Sequence, residues 1–111
     1  MSDVTVAKLA NHKKGLEHAV RIRDAALRLQ TNADFKLVIT EGFMLQEAAR
    51  YAQASGDPML SATDRADSMA MAQASGHLKR YLHVVVLIGD KSESDLPDLD
   101  RELVNASVEE E

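Results

Sequence analysis

From Val4 to Gln30 the chain has no proline and a single glycine, Gly15, while Leu16, Ala19, Val20, Ile22, Ala26, Leu27 and Leu29 recur three and four residues apart. Side chains so spaced share one face of an α-helix, and the stretch predicts a long amphipathic helix whose apolar stripe needs a partner. Its N-terminal part, through Lys8, His12, Lys13, Lys14 and Gly15, carries few apolar residues on that stripe. It is expected to project beyond the domain or to pack on another subunit. Thr31 and Asn32 stop the helix.

Asn32 is a good N-cap, and Asp34 follows in the first turn, where a carboxylate suits the positive end of a helix. A short second helix is predicted there, carrying Phe35, Leu37, Val38 and Ile39 inward and ending or bending sharply at Gly42. The pattern resumes from Phe43 to Ala54 through Leu45, Ala48, Ala49 and Ala52, and Ser55-Gly56-Asp57-Pro58 is the clearest turn in the chain. A last long helix, capped by Ser61 or Thr63, carries Ala66, Met69, Ala70, Ala74, Leu78, Tyr81, Leu82 and Val85 at three-four spacing and is expected to run to Ile88. The run Val84 to Ile88 alone also suits a buried strand; helix is preferred because nothing else offers a strand partner, and a lone strand leaves its backbone unpaired. Gly89 is the expected stop, followed by an acidic linker from Asp90 to Asp95. A short helix with Pro97 in its first turn and Leu99, Leu103 and Val104 on its face would follow, with the last glutamates, Glu109 to Glu111, frayed.

The expected fold is therefore all-α: a small bundle built on a long helical hairpin with short intervening helices, comprising a helical domain over 1–89 and an acidic tail over 90–111. Composition agrees, since only Phe35, Phe43, Tyr51 and Tyr81 are aromatic and the core must come from aliphatic side chains. The absence of cysteine excludes disulfides and thiolate chemistry and fits a reducing compartment. No run approaches the roughly 18 apolar residues of a membrane span, and the start lacks the pattern of a signal peptide, so a soluble intracellular protein is expected. Charge is unevenly placed: residues 1–50 hold eight basic and six acidic side chains, residues 90–111 two basic and nine acidic. An acidic tail of this kind is solvated or meets a partner, and it disfavours general affinity for nucleic acid.

Candidate sites are few. His12 and His18, like His77 and His83, stand six residues apart, which leaves their side chains about 120° apart on a helix and unsuited to joint metal ligation. Glu41 and Glu47, with Asp34 nearby, are the best candidates for paired acid-base carboxylates, but helix-end charge and a solvated face explain them as well. Ser75-Gly76-His77 is not a nucleophile elbow, and there is no phosphate-binding glycine loop. No catalytic, cofactor or metal residue is assigned, and an enzyme is not expected. Lys14, Arg21 and Arg28, seven apart, form a basic line about 21 Å long that could meet phosphates or an acidic partner, or simply face water. Met44, Met59, Met69 and Met71 could form an adaptable contact surface, with Met69 the expected core member and Met71 the exposed one. The partner-binding candidates are thus Lys14, Arg21, Arg28, Met71, Asp95 and Asp98; the structural ones are Phe35, Gly42, Phe43 and Tyr81.

The segment Asn32-Ala33-Asp34-Phe35-Lys36, with Ile39, Glu41-Gly42-Phe43 and Glu47-Ala48-Ala49-Arg50, followed by Asp57-Pro58 and Gly76-His77-Leu78-Lys79-Arg80-Tyr81-Leu82, resembles small helical proteins encoded by tailed bacteriophages near genes for head and packaging proteins. The similarity covers roughly Leu16 to Gly89; the Pro97 break departs from the longer charged helix in which many of those proteins end. The resemblance implies a virion or capsid-assembly component that contacts itself or a capsid, portal or scaffold protein, found in the host cytoplasm during infection or in the virion. It also implies a small phage protein that acts on a host partner; the second-ranked expectation is a regulator of a host or phage enzyme whose acidic tail, by its charge, imitates nucleic acid.

Overall fold

The computed structural model describes residues 3–110, which hold helices and no strand. The fold is all-α. Helix α1, Asp3–Thr31, ends with Arg28 in its last turn and with the Thr31 hydroxyl donating to the Arg28 carbonyl at 2.9 Å, so a cation and a donor both meet the negative helix end. Asn32 is extended, and its side-chain oxygen accepts the Phe35 N–H at 3.0 Å, which starts the next helix as expected.

That second helical segment, α2, runs without a break over 33–55. It opens with an α-turn at Ala33–Phe35, widens to π-helical pairing over Lys36–Glu47 and returns to α-helix over Ala48–Ser55. The widening shows where it ends: the Ala48 N–H reaches back to the Phe43 carbonyl, five residues away. Gly42 is therefore neither a C-terminus nor a bend, contrary to the sequence expectation; it lies inside the π stretch with no positive φ, and a Cβ there would stand 3.1 Å from the Leu37 carbonyl oxygen. Pairing every fifth residue is uncommon beyond single turns and is found mostly at functional positions.

The predicted turn is present. Gly56 and Asp57 donate to the Gln53 and Ala54 carbonyls at 3.1 Å each, and the Asp57 carboxylate accepts the Met59 N–H at 2.9 Å before Ser61 Oγ caps the next helix by accepting from Asp64 N–H at 3.0 Å. Helix α3 then runs over Ala62–Glu110 in one piece. The expected stop at Gly89, the acidic linker at Asp90 to Asp95 and the separate helix opened by Pro97 are all corrected: each lies inside α3, so the boundary drawn between 89 and 90 cuts a continuous helix. Glu109 and Glu110, expected to fray, close that helix, and Glu111 lies outside the described residues. Pro97 has no N–H to give its helix and costs about 3 kcal/mol in a helix interior, so packing must hold this region helical.

The chain divides into two compact units: Met1–Leu27 with Val84–Glu111, and Arg28–His83. In the first, α1 and α3 lie antiparallel, as the Lys13–Asp100 pair at 2.7 Å and the Arg23–Asp90 pair at 2.9 Å fix. Along α3, Val85, Ser92, Leu99 and Ala106 alternate with Gly89, Leu96 and Leu103 at seven-residue spacing, and all are buried or half-buried. Leu9, Leu16 and Arg23, with Ala19 and Ala26, form the answering row on α1. Rows repeating every seven residues keep two helices in register over several turns. The second unit contains α2 and the first part of α3, with Ser75 buried and its hydroxyl returned to the Ala72 carbonyl at 2.9 Å.

Candidate interaction surface

The centre of the hairpin is a charged one. Arg23 occupies an apolar-row position and its side chain is only 10% exposed, yet its guanidinium bonds Asp24 at 2.9 Å, Asp90 at 2.9 Å and Glu93 at 2.5 Å. The hydrogen bond to Glu93, then those to Asp24 and Asp90, raise its pKa well above the ordinary arginine value, so the cation is permanent. Room for the stem comes from Gly89: a Cβ at that position would collide with the Arg23 Cβ and stand 2.8 Å from its Cγ and Cδ. Gly89 is thus a close-approach residue within a helix. Lys13, whose pKa is raised by its hydrogen bond to Asp100, closes the same side of the hairpin further along.

The other side is open. Gly15, His18, Ala19 and Ile22 of α1 and Val85 and Ile88 of α3 line a shallow, mostly apolar depression of about 160 Å³. Further along, Leu9, His12 and Leu16 face Asp95, Asp98 and Glu102 across a second depression of about 290 Å³. Among the described residues the only buried apolar side chains are Ala26, Leu99 and Ala106, while fourteen large apolar ones are at least 42% exposed, with Leu87, Ile88, Val104 and Val108 on the α3 arm of the hairpin. A two-helix unit with so little buried apolar area gains little from its own core, since burial contributes about 25 cal/mol per Å².

The second unit has a cavity of about 350 Å³ where Phe35, Met44, Leu45 and Leu82 supply apolar wall beside Lys36, Glu41 and Lys79. The π-helical spacing gathers Lys36, Thr40 and Met44 with Glu41 and Leu45 on that wall. Leu37, Val38 and Leu45 remain more than 60% exposed on the same segment.

Lys14, Arg21 and Arg28 are all exposed on α1. Asp95 pairs with Lys91 at 3.3 Å and Asp98 pairs with Arg101, so both expected contact residues already have local partners. Met71 is 42% exposed, and Met69, expected in the core, is 52% exposed. Phe35 and Phe43 are half-buried, whereas Tyr81, expected to anchor the fold, is 51% exposed. Glu47 is engaged by Arg50 at 2.5 Å, which raises the Arg50 pKa, while Glu41 lies on the wall of the second unit's cavity. His12, His18, His77 and His83 are exposed, and no group of three metal-ligating side chains occurs among the described residues. No described helix is long and apolar enough to cross a membrane. Arg23 and Gly89 were missed by sequence reasoning; the signal available was Arg23 standing seven residues beyond Leu16 on the apolar stripe, and Gly89 seven before Leu96.

Compared with protein-family models, curated proteins and solved structures, the chain matches none.

Proposed function

We propose that this chain is a non-enzymatic assembly protein that acts through helical protein–protein contacts. The observation that carries the reading is the open side of the hairpin, where Ile22, Val85 and Ile88 line an apolar depression beside a row of carboxylates. Apolar surface flanked by charge is what a helical partner covers, and its burial supplies the association energy that so thin a core leaves available. The resemblance to phage-encoded proteins supplies the setting: a virion or capsid-assembly component, partnered by itself or by a capsid, portal or scaffold protein. Titrating the purified chain against capsid, portal and scaffold proteins, with its own mass followed by light scattering, tests this. A discrete complex or oligomer is expected. A chain that stays monomeric and binds none of the three contradicts it.

A second reading has one observation in its favour. The carboxylates after Gly89 ride on a regular helix, with Asp95, Asp98 and Glu102 on one side of it, so the acidic arm can lay a rigid row of charge into a basic groove. A regulatory binder of that kind would inhibit a nucleic-acid enzyme in a salt-sensitive way, and neutralising those three residues would abolish the inhibition.

A further inference from the structure

We infer that the open side of the hairpin is covered by a second copy of this chain, the two hairpins running parallel about a two-fold axis along their length, so that α1 of each packs beside α3 of the other. This rests on the reading that the chain works through helical contacts, and names the partner and its orientation.

Two rows border the open side. On α1 they are Lys8, Gly15 and Ile22, and on α3 Glu102, Asp95 and Ile88, each seven residues apart. Because the helices are antiparallel, Ile22 lies within about one helical turn of Ile88, Gly15 of Asp95 and Lys8 of Glu102. A parallel second copy sets the α1 row of one hairpin against the α3 row of the other with that same stagger of under one turn: isoleucine meets isoleucine, and Lys8 comes within reach of Glu102. Neither Lys8 nor Glu102 has an ion pair among the described residues, and Gly15 has open space beyond its Cα where the neighbour approaches. An antiparallel copy would instead bring the isoleucines against Lys8 and Glu102 and desolvate those charges without pairing them. The opposite side is already closed by Lys13–Asp100 and Arg23–Glu93. Two hairpins joined this way make a four-helix bundle in which every adjacent pair is antiparallel, and Ile22, Val85 and the half-exposed Ile88 become its shared core.

The chain has no cysteine, so single thiols report contacts without background. The full-length protein is measured by light scattering over a concentration series, and Ile22→Cys protein is mixed with Ile88→Cys protein and oxidised. The expected result is a dimeric mass, a mixed 22-to-88 disulfide between chains, and a dimer weakened at least about 30-fold by Ile88→Asp but unchanged by Leu87→Asp, a central burial site being worth more than a peripheral one. Since Ile88 is 52% exposed in the chain, Ile88→Asp should keep the helical circular dichroism of the parent. A dimer that ignores Ile88→Asp, or that cross-links Ile88→Cys to Glu102→Cys in preference to Ile22→Cys, overturns the inference and leaves the function reading intact. A monomer that still binds a capsid, portal or scaffold protein does the same. A monomer that binds none of them overturns both.

Discussion

Gly89 illustrates how a residue's local meaning depends on what faces it. By propensity a glycine in a helix interior costs about 1 kcal/mol relative to alanine, and Gly76, with nothing within 4 Å of the place a Cβ would take, should follow that rule: Gly76→Ala is expected to raise stability by about 0.5–1 kcal/mol in urea unfolding. Gly89→Ala should do the reverse and cost about 1–3 kcal/mol, because the added methyl enters space held by the Arg23 stem. Equal effects at the two positions would contradict the close approach. The charged neighbours separate in the same way. Lys14→Ala and Arg21→Ala, both exposed, should leave the unfolding midpoint unchanged, whereas Arg23→Ala should lower it by removing the one cation that three carboxylates share. Lys13 adds a pH signature. Its pKa is raised in the folded chain, so its contribution is complete below the ordinary lysine value of 10.5 and is lost only as pH rises through the raised value.

At the scale of elements, the helix starts were legible and the longest helix was not. Asn32 and Ser61 could be read as caps because each places a side-chain oxygen three residues before a free N–H, a purely local geometry. Gly89, the Ser92-Glu93-Ser94-Asp95 run and Pro97 likewise read locally, as breakers, and that reading failed because Leu96, Leu99, Leu103 and Ala106 pack against α1 and outweigh the propensities. The π stretch over Lys36–Glu47 had no sequence signature of its own: Gly42 suggested a bend, but the extra residue per turn is absorbed across the whole segment. If residues 90–110 are an arm of the hairpin, cutting the chain after Gly89 removes the partner of α1. Helical ellipticity should then fall by clearly more than the excised residues account for, as residues 3–27 lose order with them. A loss matching the excised residues alone would mean that they are a dispensable tail.

For the molecule as a whole, the asymmetry of charge along the sequence acquires a structural meaning. The net positive α1 and the strongly negative end of α3 are the two halves of one hairpin, so what looked like a detached acidic tail is the complement of the basic helix. The overall class, an all-α chain built on a long hairpin, was readable from the three-four periodicity. The surface was not, because which faces stay open depends on the register that Arg23 and Gly89 set. The functional reading stands or falls with the acidic arm being a packed helix that presents an uncovered side to a partner. Hydrogen–deuterium exchange of the intact chain at low and high concentration is the decisive measurement. Exchange over 89–106 should be slow, matching 9–26, and should slow further in both segments as concentration rises. Exchange over 89–106 at the rate of an unstructured peptide, at either concentration, is incompatible with a packed arm.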